Sequence, residues 1–478
     1  MTSPKADILV IGAGPAGAIA ALRAAELGAK TVLLARDEFG GMAANDGPIP
    51  VRALAQAARL MREARQFRTY GINVCEPVLN YSRLLERVRE IVRDVREHSA
   101  VRTQINSLGV TVHENAGAAR FVDPHTIETE RGLRLDAEKF IICTGGVNRR
   151  LPIPGFELTS THSDAWSLTS VPPSMLVVGG GATGVQVASI FNAFGSRVQL
   201  FEAATRLLPS EDDDVAAAVA AGFRESAIDV QEDFGAIESF EKTPTGMRMN
   251  YSKDGKQSST EATLVVVAVG WVADTTGLNL AVAGIEVNAR KFIKVDSFLR
   301  TTATHIFAAG DVTGRLMLVP EAIQDGFVAA TNAVQGAMLP LASHVSPSGS
   351  FTDPEYASVG PTERKARETN HVVTAVIRFD STTRTIIDGR KFGFCKLITD
   401  RQTCKILGCH VVGERAVDIV QAAAIAMAAG MRVDELARVA LSYPTYTDIL
   451  VLVAANTARK LNLRANSSTE GYQAARHS

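Results

Sequence analysis

The stretch Ala6-Asp7-Ile8-Leu9-Val10-Ile11-Gly12-Ala13-Gly14-Pro15-Ala16-Gly17 decides the fold. A short apolar run of buried-strand type passes into Gly-x-Gly-x-x-Gly, and residues 18–27 continue as an apolar helix. Strand, glycine turn and helix in that order predict a dinucleotide-binding unit. Gly12 permits the tight turn, Gly14 lets backbone approach a pyrophosphate, and Gly17 lets the helix pack on the strand. The helix N-terminus adds N–H donors and a partial positive charge suited to phosphate.

The pattern recurs about 167 residues later. Residues 175–178 read as a strand, Gly179-Gly180-Gly181-Ala182-Thr183-Gly184 as the turn, and 185–194 as the helix. Gly179, Gly181 and Gly184 take the three glycine roles. The next strand, 197–201, ends at Glu202, the place for a carboxylate that binds a ribose 2′-OH. A carboxylate there repels a 2′-phosphate, so NADH is expected and NADPH disfavoured. Arg206 is the one nearby cation placed to reach such a phosphate.

At 478 residues the chain is long enough for about three domains. It is 46% hydrophobic and 21% charged with a net charge of −1, which gives no basic footprint for nucleic acid or an anionic membrane. Five scattered cysteines (75, 143, 395, 404, 409) fit a reducing, cytoplasmic setting rather than a disulfide scaffold. Cys404 and Cys409 have the spacing of a redox pair, but 403–412 reads as an apolar strand, which predicts inert buried thiols. No secretion signal is apparent, no apolar run reaches the roughly 18–20 residues of a spanning helix, and no His/Cys cluster has metal-ligand spacing.

Further segments carry a resemblance across nearly the whole chain. Phe140-Ile141-Ile142-Cys143-Thr144-Gly145-Gly146, the 264–269 run before Gly270, the 304–309 run before Gly310-Asp311, Met317-Leu318-Val319-Pro320 and Phe351-Thr352-Asp353-Pro354-Glu355-Tyr356-Ala357-Ser358-Val359-Gly360 resemble motifs of the flavin-dependent pyridine nucleotide-disulfide oxidoreductases. That resemblance implies an α/β fold with two Rossmann-like dinucleotide-binding domains plus a C-terminal α+β dimerisation domain. The expected boundaries are 1–150 and 275–342 for FAD, 151–274 for NAD(H), 343–465 for dimerisation, with a linker at 343–349 and a loose tail at 466–478. It further implies a homodimer. FAD is assigned to Gly12, Gly14, Gly17, Arg36, Gly40, Gly41, Met42, Arg52, Gly117, Thr144, Gly145, Gly146, Gly310, Asp311, Met317 and Leu318, and the nicotinamide cofactor to Gly179, Gly181, Gly184, Glu202 and Gly270. In the family the aspartate at position 311 accepts hydrogen bonds from the ribityl chain.

The chain departs from the family where the chemistry should be. The family's redox loop reads Gly-Gly-x-Cys-x-x-x-x-Cys-x-Pro-x-Lys, whereas Gly40-Gly41-Met42-Ala43-Ala44-Asn45-Asp46-Gly47-Pro48-Ile49-Pro50-Val51-Arg52 places Ala43 and Pro48 at the cysteine positions and Arg52 at the lysine. Neither Ala nor Pro offers a thiolate. In Ser442-Tyr443-Pro444-Thr445-Tyr446-Thr447-Asp448, Tyr443 takes the place of the partner subunit's histidine and Asp448 that of its glutamate. Gln186 replaces the glutamate that pairs with the loop lysine; Arg52 and Gln186 can still hydrogen-bond, but Gln186 has no charge, which leaves Arg52 either an unpaired cation beside the flavin or turned to solvent or a phosphate. Ala35 replaces the acid that binds the adenosine ribose, with Asp37 or Glu38 as substitutes. Tyr443 reads as a proton donor or as pocket packing, and Asp448 as its orienting partner or as a helix cap. Trp271 shapes the nicotinamide entry or is a packed aromatic.

The expectation is an FAD-dependent NADH oxidoreductase that hands electrons from flavin directly to a small non-disulfide acceptor such as a quinone. Two alternatives stand beside it: soluble pyridine nucleotide transhydrogenation, which the Tyr-Pro-Thr-x-x-acid run resembles, and a non-catalytic nucleotide-binding paralogue.

Overall fold

Parallel pairing around the two glycine turns organises most of the molecule. The computed structural model describes residues 5–342 and 345–463, so the 466–478 tail lies outside the described residues. The first sheet has seven strands. Thr111–His113, Thr31–Leu34, Ala6–Ile11 and Arg134–Ile142 lie side by side and parallel, with Ile306–Ala308 also parallel on Arg134–Ile142. Thr126–Thr129 and Ala119–Asp123 extend it antiparallel. Alternation along Ala6–Ile11 covers both faces. Ile8 and Val10 join the core that includes Ala16, Ala20 and Ala329, while Leu9 and Ile11 join Phe121, Phe140 and Ile293.

The second sheet repeats the plan with Asp229–Glu232, Arg197–Glu202, Ser174–Val178 and Leu264–Val267, all parallel. An antiparallel meander, Ala236–Thr243, Gly246–Lys253 and Lys256–Ala262, covers one side through Phe240 and Met249. Outgoing and returning chain between the sheets are zipped together where Gly146–Asn148 pairs antiparallel with Trp271–Ala273. The mixed α/β architecture is the one expected.

The last sheet is antiparallel, ordered Ser348–Ser350, Tyr356–Val359, Ile406–Gly413, Gly393–Asp400, Val372–Arg378, with the helices Ala416–Ala428 and Asp448–Lys460 on its core side. Two expectations change here. A strand at Ser348–Ser350 occupies part of the expected 343–349 linker, because its backbone pairs with Tyr356–Val359. The 403–412 run is not one strand: Asp400 accepts from the N–H groups of Gln402 and Thr403, Cys404 turns at φ 58°, and the strand begins at Ile406. Both thiols are buried, Cys404 in the turn and Cys409 in the strand, whose sulfur faces Cys395 across the sheet at 3.9 Å.

Candidate functional site

The two glycine turns are stereochemical copies. Gly12 N donates to Leu34 O and Cys143 N to Ile11 O, both at 2.7 Å; Gly179 N donates to Phe201 O at 2.8 Å and Ala268 N to Val178 O at 2.7 Å. A Cβ on Gly12 would lie 2.3 Å from Cys143 O, and one on Gly17 1.7 Å from Gly12 O. At Gly179 and Gly184 the same distances are 2.3 Å to Ala268 O and 1.8 Å to Gly179 O. First and third glycines are therefore demanded by packing. Second glycines are different: a Cβ on Gly14 meets only Gly41 Cα at 3.9 Å, and one on Gly181 meets nothing within 4 Å. Each opens onto the start of a helix, Pro15–Glu26 or Ala182–Ala193, with no side-chain cap on its N–H groups. Two cradles of that shape fit two pyrophosphates.

Several of the residues expected to hold FAD lie around the first cradle. Gly40 N donates to Ala13 O at 2.9 Å, and Gly41 packs against Gly14, so the redox-loop frame sits directly on the glycine turn. Gly117 N reaches Arg36 O at 3.0 Å. Thr144 Oγ1 donates to Asp274 O at 2.7 Å, and Asp274 N donates to Gly145 O at 3.0 Å. A Cβ on Gly146 would lie 3.8 Å from Cβ of Asp311, which follows Gly310 in a short helical turn. Burial, and then the charge of Asp325, push the Asp311 carboxyl up to about 6. A carboxyl so poorly solvated suits polyol donors. Met317 packs against the core beneath, and Leu318 caps the helix Val319–Gln335. Ala35 is buried at the strand end, Asp37 pairs with Arg36, and Glu38 pairs with Arg96. Arg36 also binds Asp274 at 2.9 Å.

At the second cradle Glu202 ends its strand, and its carboxylate accepts from Gly180 N at 2.6 Å and Ala204 N at 2.7 Å. Arg206 does not stand ready for a phosphate. Its guanidinium donates to the carbonyls of Leu208, Pro209 and Glu211 and pairs with Asp213 at 3.0 Å. Gly270 turns at φ 108° immediately before Trp271, and its carbonyl accepts from Arg149 N.

The cysteine-less loop forms a short helix, Gly41–Asn45, and Pro48 opens the long helix Pro48–Gln66. Arg52 and Gln186 do not hydrogen-bond to each other. Gln186 donates back to Ala182 O at 3.1 Å within its own helix, and the Arg52 guanidinium lies 3.8 Å over the Phe351 ring. An aromatic face attracts the cation where no carboxylate competes at Gln186. Arg52 is exposed by area, yet crowding around its guanidinium lowers its pKa to about 10, with Glu355 opposing. Tyr443 is 55% exposed and donates to Thr383 Oγ1 at 2.9 Å. Asp448 begins the helix Asp448–Lys460 and accepts from Thr445 N.

One group was not anticipated. Asp46, inside the loop, accepts from Ser163 Oγ, and its Oδ2 lies 3.7 Å from His162 Nε2. Asn148 and Trp271 flank the same imidazole. Thr161 and Asp164 form a capping box, a local signal that marks the turn carrying His162. Nothing local signals that the turn meets a loop 117 positions away.

Comparison with known proteins accords with this geometry. The model of the pyridine nucleotide-disulphide oxidoreductases matches residues 6–326, and that of their dimerisation domain matches 346–454. A dihydrolipoyl dehydrogenase of Zymomonas mobilis is 31% identical over 459 residues, 93% of this chain and 96% of its own. A mercuric reductase of Bacillus cereus is 31% identical over 451 residues, covering 93% and 70%. Among solved structures, the Cu(II) complex of the HOCl-induced flavoprotein disulfide reductase RclA of Escherichia coli aligns with a TM-score of 0.84 at 25% identity, covering 95% and 100%. The chain belongs to the pyridine nucleotide-disulphide oxidoreductase family.

It is accordingly an FAD-dependent pyridine nucleotide oxidoreductase with a C-terminal dimerisation domain. Gly12, Gly14, Gly17, Gly146 and Asp311 would hold the flavin dinucleotide, which supplies hydride and electron transfer when bound. Among the described residues no helix is long and apolar enough to cross a membrane.

Proposed function

We propose that this protein is an NADH-dependent member that passes electrons from its flavin directly to a small non-disulfide acceptor such as a quinone. The carrying observation is the loop itself: Ala43 and Pro48 occupy the positions from which the family works a dithiol. Four of the five thiols are buried. Cys143 is buried behind the first glycine turn, where burial pushes its thiol up, and Cys395, Cys404 and Cys409 are buried in the last sheet. Cys75 is exposed on the segment after the Pro48–Gln66 helix.

The chain's own residues then have these tasks. Uncapped helix starts at Gly14 and Gly181 bind pyrophosphate, and Glu202 accepts from a ribose hydroxyl while its charge rejects a 2′-phosphate. The engagement of Arg206 supports that preference and weighs against transhydrogenation between NADH and NADP. The expected domain limits, a homodimer and action in a reducing cytoplasm complete the reading; five unpaired cysteines support the last. Tyr443, exposed on the dimerisation domain, packs the acceptor pocket across the homodimer interface.

The test is an anaerobic absorbance titration with NADH and then NADPH, followed by a quinone. Bleaching near ~450 nm by NADH, with no long-wave thiolate–flavin band and prompt reoxidation by quinone, is expected. Absence of bound flavin, or a thiolate charge-transfer band on reduction, overturns the proposal.

A further inference from the structure

Asp46 is the one titratable side chain between Gly40 and Arg52, on the loop that has lost its thiols. Its side chain is 39% exposed, whereas the imidazole behind it is 3% exposed. His162 Nε2 lies 3.7 Å from Asp46 Oδ2, and Ser163 Oγ donates to the same oxygen. On the far side of the ring Asn148 Nδ2 sits 3.5 Å from His162 Nδ1. An amide N–H at that place can only donate, which suits the neutral tautomer that carries its proton on Nε2, facing Asp46. Asn148 and Trp271 are opposite each other in the strand pair that links the two dinucleotide regions. That link therefore favours one tautomer and, through the Trp271 ring packed edge-on with its centroid 5.3 Å away, orients the imidazole. Trp166 closes another side at 6.2 Å. Charged groups facing the ring are Asp46 from the loop and Asp164 from its own turn; the link strands contribute none.

We infer that Asp46 and His162 form a proton-transfer couple, supplied within one chain, for the acceptor half of the reaction. The inference rests on the direct-transfer reading above and deepens it. A half-exposed carboxylate on the loop, backed by a buried imidazole, does the work of a proton donor where the family's cross-subunit histidine and glutamate have become Tyr443 and Asp448. NADH, a quinone and one proton give NAD⁺ and a hydroquinone. NADH is the source of the hydride equivalent, which the flavin would carry when bound. The O–H bond that completes the hydroquinone forms as the couple releases its proton, and water returns a proton to His162. No other oxidant or reductant enters. Burial holds His162 below the ordinary histidine range, against Asp46 and Asp164. The loaded couple is therefore more populated as pH falls, and the acceptor step speeds up in the same direction.

The molecule carries its own reporter, because its only two tryptophans flank His162. Tryptophan emission of the holoprotein, followed between about pH 5 and 8, is expected to show a quenching step on acidification that disappears in H162Q. In stopped flow, the NADH-reduced protein is then mixed with a para-benzoquinone. Wild-type reoxidation should slow as pH rises, while H162Q and D46N become flat with pH and slower by on the order of 10²-fold at the acid end. D46N alters only a half-exposed loop residue and covers the case in which H162Q fails to fold. A wild-type pH profile retained in D46N or H162Q overturns the inference alone. Failure of NADH to bleach the wild-type flavin, read in the first step, overturns the direct-transfer reading beneath it.

Discussion

Glu202 shows how much one side chain can decide. Its two carboxylate oxygens take one backbone N–H each, from Gly180 and Ala204, so the charge is positioned at the strand end before any nucleotide arrives. Charge-assisted bonds of this kind are the strong ones. Glu202→Ala is expected to raise KM for NADH roughly tenfold, about 1.4 kcal/mol, and to narrow the gap between NADH and NADPH in steady-state assays. Glu355 carries a charge of the opposite value to the fold. Burial first, and then Glu414, push its carboxyl up to about 7, with Arg59 opposing. Its pKa is raised relative to an unfolded value near ~4.3, so the native state binds the proton more tightly. The contribution is full at low pH and is lost as pH rises through about 7. Arg59 keeps Glu63 and Glu414 as partners, so Glu355→Gln should stabilise by on the order of 1 kcal/mol at pH 8 and make little difference at pH 5. Urea midpoints at the two pH values check it.

At the scale of the element, strand, glycine turn and helix were legible because every requirement is local. A turn at φ 106°, repeated at Gly12 and Gly179, and a helix pressed on the strand leave no room for Cβ. The geometry separates two kinds of glycine that the motif alone treats as one. Gly184→Ala drives a methyl into Gly179 O at 1.8 Å and is expected to abolish soluble expression or lower Tm steeply. Gly181→Ala adds a methyl that meets nothing within 4 Å, so folding should survive while NADH binding weakens at least tenfold, seen as normal circular dichroism with a raised KM. Other element limits were less legible. The 403–412 run looked like one strand because its apolar residues are continuous, yet the Asp400 carboxylate gathers the N–H groups of Gln402 and Thr403 into a turn. Side-chain capture of backbone donors does not alter hydropathy, so periodicity is blind to it.

For the whole molecule the decisive contacts join regions far apart in sequence. Lys396, 3% exposed, reaches from the last sheet to Asp212 at 3.0 Å and Asp214 at 2.7 Å at the start of the helix Asp213–Glu225, and to Glu363 at 2.6 Å. Against the cost of burial, the Glu363 N–H and Lys396 hold Asp212 below the usual carboxylate range. This latch ties the unit of the second glycine turn to the dimerisation domain. Lys396→Met leaves Asp212 buried without its cation and should destabilise by about 3 kcal/mol in chemical denaturation at neutral pH. Asp212 and Glu363 both have depressed values, so the latch is intact above the ordinary carboxylate pKa and fades as pH falls through theirs. The K396M deficit should shrink accordingly in acid.

The sequence by itself determined the two dinucleotide units, the position and sign of Glu202, and the loss of the dithiol, because each is written in residue types at short spacing. Only the tertiary structure decided where charges go once the chain is closed. Arg52 turns to the ring of Phe351 rather than to Gln186, Arg206 is consumed by carbonyls, and Asp46 meets His162. Those outcomes depend on the burial and competing partners each group finds after packing. Electrostatic preference among partners tens to hundreds of residues apart leaves no local pattern to read.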